Sequence, residues 1–369
     1  MSQPAKLLDA LDPAQLNPIM AILQAVASDA VVPAVRIPMT ASSWLGIQTN
    51  SSAPNSAKYP NLSDQYQNFV AKLVAQYTGH GIATILDLHW SNDDTGQQPM
   101  ADKSCIKFWS SVAQRFGHNQ YVFYELYNEP HISDESAYAT GDATTAGMLE
   151  MLAQVRKHTD NPVVIAGAAA YAYDADSLVT LDAQLVAASA TNILFNFHPY
   201  MGPAQAGASN KCPAGFRELV SEVVSKTDRP LIITEFGQAC CPTTGGVCEH
   251  CPSSDHGYDE EILIIAQENK MSWLPWAWRP TAAGPNPKTC QDVNGGGPDG
   301  NDGLTHPTDG KGADFATLWK TYAPSTGPSP GPAPSGCPGG SLSACMGLCP
   351  ASPAAAYKAC VQSCVDRCT

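Results

Sequence analysis

Two glutamates, each at the end of an apolar run, are the residues of this sequence best suited to chemistry. Glu129 follows the run that starts at Tyr121 in YVFYELYNEPH, and Glu235 ends the run that starts at Pro230 in PLIITEFGQ. A carboxylate is costly to bury, so its presence at the end of an inward strand indicates a use. Two such carboxylates can divide one reaction, because one can protonate a leaving group while the other attacks an anomeric carbon.

The elements that must position these two residues alternate between strand and helix. Apolar runs predict seven strands, near 31–37, 82–88, 121–127, 162–167, 192–197, 230–235 and 273–278. Helical spacing predicts helices near 17–29, 63–79, 102–116, 145–158, 213–226, 257–270 and 313–322. Such alternation, with nearly continuous apolar strands, is typical of a parallel α/β sheet covered on both faces.

Seven strands are one fewer than a (β/α)8 TIM barrel needs, and the first predicted element is the helix that would follow strand one. Two accounts of the missing strand stay open. In the first, the sequence begins late and lacks both the first strand and a leader. In the second, residues 1–16 close the barrel irregularly.

The composition changes after residue 322. Residues 323–336 are rich in Pro, Ser and Gly and predict a linker, and residues 337–369 contain six cysteines. The repeated C-x3-C spacing places two sulfurs on one helix face, so we expect a small module of two short helices stapled by disulfides. The predicted organisation is a catalytic domain at 1–322, the linker, and this module.

The charge balance narrows the class of partner. Twenty Lys and Arg stand against 34 Asp and Glu, giving a formal net charge of −14 without a basic cluster. Nucleic acid and anionic membranes are therefore excluded as partners, and a neutral or cationic substrate is favoured. No segment is apolar enough to span a bilayer.

Thirteen cysteines indicate disulfides and hence secretion, although the N-terminus has no signal-peptide pattern. The loop from Cys240 to Cys251 is favoured as disulfide-bonded, with a zinc site as the alternative because it ends in C-x2-C. Seven cysteines precede the linker, among them Cys105, Cys212 and Cys290. Because seven is odd, at least one of them is free or pairs elsewhere.

Neither of the other metal candidates has the pattern of a metal site. Residues 292–303 are rich in oxygen ligands, but Gly303 stands where a calcium loop needs its closing Glu. His89 and His198 lack the spacing of zinc ligands. We therefore expect no metal and interpret 292–303 as a long loop over the cleft.

Six short motifs occur in order at the ends of successive predicted strands: VRIP at 35–38, DLHW at 87–90, YNEP at 127–130, FHPY at 197–200, TEFG at 234–237 and WAW at 276–278. Together they resemble glycoside hydrolase family 5, the cellulase family, over about residues 17–322. The resemblance implies a retaining mechanism with a covalent glycosyl-enzyme intermediate. It makes Glu129 the general acid/base and Glu235 the nucleophile, with their carboxyl groups about 5–5.5 Å apart.

The resemblance also implies roles for polar residues around the reacting sugar. Asn128 would bond the sugar 2-hydroxyl and the nucleophile, and Arg36 would hold the nucleophile ionised. His89, His198 and Tyr200 match the remaining polar positions around that sugar. Tyr200 is placed to bond the nucleophile, and His198 to touch the substrate or the acid/base.

Tryptophans supply the expected sugar platforms. Trp278 matches the ring that stacks under the sugar at the cleaved bond, with Trp276 as the alternative, while Trp273 is expected in the core. Trp44 and Trp90 follow strand ends and are candidates for stacking further sugars.

The function predicted from these residues is a secreted, monomeric endo-β-1,4-glucanase that acts on cellulose or related β-glucans without any cofactor. The same catalytic residues also serve β-mannanases, xyloglucanases and β-1,3-glucanases of the family, so these activities remain alternatives. An alternative of another class is a non-catalytic wall protein that binds polysaccharide. The linker arrangement is similar to that of modular cellulases, but the cysteine-rich module has only one aromatic residue, Tyr357, for a sugar-binding face. Cellulose binding and a protein-interaction or purely structural role therefore stay equally open.

Overall fold

The computed structural model describes residues 34–47, 62–92, 97–200, 213–236 and 258–276. The helices predicted near 17–29 and 313–322, the loops at 240–251 and 292–303, the linker and the cysteine-rich module lie outside these residues. In the described ranges, no helix combines the length and the apolar character needed to cross a bilayer.

Seven strands, all paired in parallel, form the sheet of the described residues. They are β1 (Ala34–Thr40), β2 (Ala83–Trp90), β3 (Val122–Glu125), β4 (Val163–Ala166), β5 (Ile193–Phe197), β6 (Leu231–Ile233) and β7 (Ser272–Trp273). The sheet order follows the chain order from β1 to β7. This parallel α/β sheet confirms the predicted fold class, with each strand within a few residues of its predicted position.

Eight helices are described between and beside these strands. They are α1 (Ala41–Leu45), α2 (Leu62–Gly79), α3 (Ser104–Phe116), α4 (Glu135–Thr140), α5 (Met148–Arg156), α6 (Asp176–Ala187), α7 (Pro213–Lys226) and α8 (Tyr258–Glu268). The helices α2, α3, α5, α7 and α8 confirm predicted ones. Helices α1, α4 and α6 were not predicted from the sequence.

The described residues fall into two compact units. The first unit comprises the described residues of 34–125 and 150–162, and contains β1 to β3. The second comprises those of 126–149 and 163–276, and contains β4 to β7. Each unit has its own buried apolar core.

The core of the second unit fixes the strand that carries most of the site. Phe195 and Phe197 of β5 are fully buried, and Phe197 packs edge-on against Phe216 of α7 with ring centroids 6.0 Å apart. Because side chains alternate along a strand, the residues between and after these phenylalanines point to the other face. Asn196 and His198 are such residues, and both are fully buried.

Trp44 corrects one expectation from the sequence. It lies in α1, is 0% exposed, and packs against Phe108 and Phe116 of α3 with centroids 6.1 Å away in each case. Its indole N–H donates to Ser111 Oγ at 3.1 Å. An enclosed ring with a satisfied N–H has no face for a sugar, so Trp44 is a core residue and not a sugar platform.

Candidate active site

Glu129 lies in the turn that follows β3, where the buried strand gives way to Asn128, Glu129 and Pro130. Its side chain is 16% exposed, whereas Asn128 is 1% exposed. The backbone carbonyl of Glu129 lies 3.1 Å from Nδ1 of His131, which holds the turn on its outer side. The acidic group therefore sits at the end of the strand with limited access to water.

Glu235 lies two residues after β6 and is more enclosed than Glu129. Its side chain is 5% exposed. The hydroxyl of Tyr200 donates to Glu235 Oε2 at 2.8 Å. This hydrogen bond holds one oxygen of the Glu235 side chain in a fixed direction.

His198, directly after β5, joins the two glutamates. Its Nδ1 lies 2.9 Å from Glu129 Oε1 and 4.0 Å from Glu235 Oε2. One oxygen of each glutamate and this nitrogen all lie within 4.8 Å of one another. The two carboxylates, 106 positions apart in sequence, therefore meet around one imidazole, as their places at strand ends predict.

Asn196 and Thr234 surround the far side of the His198 ring, and the sequence analysis selected neither. His198 Nε2 lies 2.9 Å from Thr234 Oγ1 and 3.2 Å from Asn196 Nδ2, while the backbone N–H of Thr234 donates to Asn196 Oδ1 at 3.0 Å. All three residues are at most 1% exposed. A polar residue inside the apolar run ILFNF was the available signal for Asn196, since buried amides need partners.

A left-handed turn after β4 connects the segment that follows Glu129 to His198. Ala170, Tyr171 and Ala172 have φ of 53°, 61° and 59°. The N–H of Tyr171 donates to the Pro130 carbonyl at 3.2 Å, and the N–H of His198 donates to the Ala172 carbonyl at 3.1 Å. Consecutive left-handed residues other than glycine cost about 1–2 kcal/mol each, and such strain concentrates at functional sites.

Gly167 makes this turn possible by allowing a close approach of the backbone. A Cβ added at Gly167 would lie 2.3 Å from the carbonyl oxygen of Asp174, too close for any side chain. At the outer end of the turn, the ring of Tyr171 stacks on His131 with centroids 4.3 Å apart and planes 21° apart. The turn is thus held at its base by backbone packing and at its tip by two rings.

Four of the buried charged or polar residues of the first unit form a network across β1, β2 and β3. Arg36 bonds Glu125 through Nε to Oε2 at 2.6 Å and through a terminal nitrogen to Oε1 at 3.0 Å, and it lies 3.1 Å from Asp87 Oδ2. His89 Nδ1 lies 2.6 Å from the same Asp87 oxygen. The structure therefore gives Arg36 two carboxylate partners that the sequence analysis missed, while its role toward Glu235 stays a prediction.

Three tryptophans named from the sequence differ in what the structure shows of them. Trp90, the last residue of β2, is half-buried, with its ring 5.8 Å from His89. Trp276 is half-buried and its N–H donates to the Phe236 carbonyl at 2.9 Å, while Trp273 packs edge-on against Phe236 at 5.8 Å. Trp278 lies outside the described residues, so stacking by Trp278 or Trp276 stays a prediction.

With this geometry in hand, comparison with known protein families gives a clear result. Residues 18–282, well over half of the chain, match the family described as Cellulase (glycosyl hydrolase family 5). The chain belongs to this family. The family assignment made from six short motifs is thereby confirmed.

Relatives of this cellulase-family chain are distant. It is 24% identical over 215 residues to "Endoglucanase A" from Butyrivibrio fibrisolvens, which covers 58% of the chain and 43% of that protein. The chain thus spans less than half the length of this curated relative. That match alone does not assign an activity to the chain.

Solved structures of low identity show the fold. A triple mutant of the endo-β-1,4-glucanase from Xanthomonas axonopodis pv. citri has 17% identity and a TM-score of 0.53, over 78% of this chain and 86% of that one. XacCel5A in complex with cellopentaose has 18% identity and a TM-score of 0.53, over 79% and 86%. The likeness agrees with the (β/α)8 class predicted for the family.

The family site also contains a group of atoms with the spacing of a cation site. The Glu129, His198 and Glu235 ligand atoms lie within 4.8 Å of one another, close enough for one ion to touch all three. A metal would need the lone pair of His198 Nδ1, the atom that lies at hydrogen-bond distance from Glu129. The geometry is equally that of two carboxylates bridged by an N–H donor.

Proposed function

We propose that the chain is a retaining endo-β-1,4-glucanase that hydrolyses internal bonds of cellulose or related β-glucans. One observation carries the proposal. Carboxylate oxygens of Glu129 and Glu235 lie within 4.8 Å, and each residue has a different polar partner. This separation agrees with the roughly 5–5.5 Å of retaining glycosidases and is shorter than the roughly 6.5–9.5 Å of inverting ones.

In the first step, Glu235 is the nucleophile. One of its oxygens bonds to the anomeric carbon while the bond from that carbon to the leaving oxygen breaks, and Glu129 gives its proton to the leaving oxygen. The hydrogen bond from Tyr200 to Oε2 fixes the direction of the Glu235 carboxylate. The product is a glycosyl ester on Glu235 and a shortened polysaccharide with a free hydroxyl.

In the second step, Glu129 acts as the base. It takes a proton from a water molecule whose oxygen bonds to the anomeric carbon, and the ester bond to Glu235 breaks. This role requires Glu129 to meet water once in each cycle. Its side chain is 16% exposed against 5% for Glu235, which suits the two assignments in this order.

The supporting roles follow the family pattern and belong to the same proposal. Asn128 contacts the sugar at the cleaved bond and Trp278 stacks beneath it, while the roles of His89 and Arg36 stay predictions of the family pattern. Trp90 contacts a further sugar. Its half-buried ring at the end of β2 leaves one part open to such a contact.

A β-1,4-glucan is the proposed substrate because the family is that of the cellulases and the named relatives are called endoglucanases. Mannan, xyloglucan and β-1,3-glucan would be cleaved by the same pair of glutamates, and the choice among them lies in loops. We also propose that the enzyme is secreted and acts as a monomer. Thirteen cysteines in one chain support an oxidising compartment.

The first test is hydrolysis itself. The purified chain is assayed on carboxymethyl cellulose, mannan, xyloglucan and laminarin, and the anomer of the first product from cellopentaose is followed by proton NMR. We expect hydrolysis of carboxymethyl cellulose and an initial β-anomer. An initial α-anomer would exclude the retaining mechanism, and binding without hydrolysis of any of the four would leave only the wall-binding function.

The second test separates the roles of the two glutamates. Glu235→Ala and Glu129→Ala are each assayed on 2,4-dinitrophenyl β-cellobioside with and without azide. Azide replaces the missing nucleophile of Glu235→Ala and gives the α-glycosyl azide. In Glu129→Ala it attacks the intermediate on Glu235 and gives the β-glycosyl azide. The opposite pair of products would reverse the assignments.

A further inference from the structure

The orientation of the Asn196 side chain is fixed by the backbone beside it. The N–H of Thr234 can only donate, and it donates at 3.0 Å to one end of the Asn196 amide. That end must be the oxygen, Oδ1. The other end, Nδ2, is then the group 3.2 Å from His198 Nε2.

The contacts of His198 Nε2 decide which ring nitrogen carries the proton. An amide NH2 has only hydrogens to offer, whereas the hydroxyl of Thr234, 2.9 Å away, can donate or accept. If Nε2 carried a proton, it would face the Asn196 donor with another donor. Nε2 is therefore the acceptor, the single proton of the neutral ring lies on Nδ1, and Nδ1 donates to Glu129 Oε1 at 2.9 Å.

We propose that Asn196 is a positioning residue that keeps His198 neutral, with its proton on Nδ1. The inference rests on the proposed function of Glu129 as the acid/base. Asn196 acts only through His198.

The benefit for the reaction is protection of the acid proton. With the proton on Nε2, the bare Nδ1 would face Glu129 and would accept the proton that Glu129 must deliver to the leaving group. With the proton on Nδ1, the ring cannot accept at that atom. Glu129 and Glu235 both face Nδ1 and attract a cation, and the neutral Tyr200 ring lies 6.5 Å away, so Asn196 opposes an imidazolium that its described neighbours would otherwise favour.

The same arrangement disfavours a metal ion between Glu129, His198 and Glu235. An ion would need a bare Nδ1, so the ring proton would have to move to Nε2 and face the Asn196 amide. Asn196 therefore protects the carboxylate pair against both protonation of the ring and capture of a cation.

The test uses Asn196→Asp, which keeps the size of the side chain. One carboxylate oxygen still accepts from Thr234, and the other now accepts from Nε2, so His198 becomes an imidazolium. A cation 2.9 Å from Glu129 Oε1 favours its ionised form, and the general acid is lost at lower pH. We expect the alkaline limb of kcat/KM against pH to move down by about one pH unit or more, which lowers kcat/KM about tenfold at pH values above both midpoints.

The control is Asn192→Asp, which adds the same charge at the exposed, opposite end of β5. We expect its pH profile to match the parent protein within error. A shift as large as that of Asn196→Asp would show a general charge effect and overturn the proposal. Melting temperatures of both variants establish that they are folded.

A direct measurement does not depend on activity. In protein labelled with 15N at histidine, His198 is assigned by its loss in His198→Gln, and the ring nitrogen shifts report the tautomer. We expect a protonated Nδ1 and a bare Nε2 in the parent, and two protonated nitrogens in Asn196→Asp. A protonated Nε2 in the parent would overturn the proposal, even in a protein that hydrolyses cellulose. If the parent protein shows the expected tautomer but does not hydrolyse any substrate, the proposed function is overturned and the role of Asn196 toward His198 is not.

Discussion

The hydroxyl of Tyr200 donates to Oε2 of Glu235 at 2.8 Å, from the end of one strand to the end of the next. Glu235 is 5% exposed, so water contributes little to its solvation. A donor aimed at one oxygen leaves the other to face a substrate. Tyr200 thus sets the direction of the proposed nucleophile.

Replacing this hydroxyl tests its contribution. A hydrogen bond to a charged group contributes about 1.5–3 kcal/mol, so Tyr200→Phe should lower kcat/KM on cellopentaose by roughly 10- to 100-fold. The matched control is Tyr171→Phe, since the described residues show no hydrogen bond from that hydroxyl to either glutamate. Equal losses in the two variants would contradict the role of Tyr200.

The Arg36 network in the first unit should be a large contributor to folding stability. Glu125→Gln leaves a buried guanidinium with one carboxylate partner fewer, which costs about 3–5 kcal/mol when a buried pair is broken. We expect a clear fall in the urea midpoint. Glu222→Gln, which removes an exposed partner of Lys226 on α7, should leave the midpoint unchanged within error. A Glu125→Gln protein as stable as Glu222→Gln would contradict this account.

Cys105 should not react with alkylating reagents in the folded protein. It is a free thiol, 0% exposed, and burial raises its pKa to about 12. Because the thiolate is the reactive form, only about one molecule in ten thousand is reactive at pH 8. We expect the peptide containing Cys105 to stay unlabelled by iodoacetamide in native protein and to be labelled fully after unfolding in urea. Rapid labelling of Cys105 in the native protein would show that this thiol is not buried.

The same substitution should have opposite effects at two alanines of the second unit. Ala170→Gly removes left-handed strain and should raise Tm by a few degrees, a gain of about 1 kcal/mol. Ala183→Gly, at an exposed position inside α6, should lower stability by about 0.5–1 kcal/mol. Calorimetry measures both. A fall in Tm for Ala170→Gly would mean that the turn is not strained.

The features that could be predicted from the sequence are the strands, which are long apolar runs, and the polar residues at the ends of those runs. The seven strands follow from runs such as ILFNF and VVIA, and Glu129 and Glu235 meet because parallel strands end at the same edge of a sheet. The helix α6 was missed because the Ala-rich stretch before it offers little contrast between apolar and polar faces. Its Leu178, Leu181 and Leu185 have helical spacing, so a signal existed.

Side-chain partners were harder to predict than positions. Arg36 was assigned to the nucleophile, and the structure gives it Asp87 in the neighbouring strand β2 and Glu125 in β3, one strand further along the sheet. Trp44 follows a strand end as a platform would, but α1 turns its ring into the core. The direction of a side chain after a strand end depends on the backbone dihedral angles of the next few residues. The spacing of residues in the sequence does not determine those angles.

The left-handed turn at 170–172 joins the segment after Glu129 to the segment of His198 through two backbone hydrogen bonds. Insertion or deletion of a residue between Gly167 and Asp174 would displace both segments at once. Loop length here is therefore tied to the reaction. Under the proposed function, changes in substrate preference are therefore expected in other loops, where the chain can lengthen without moving Glu129.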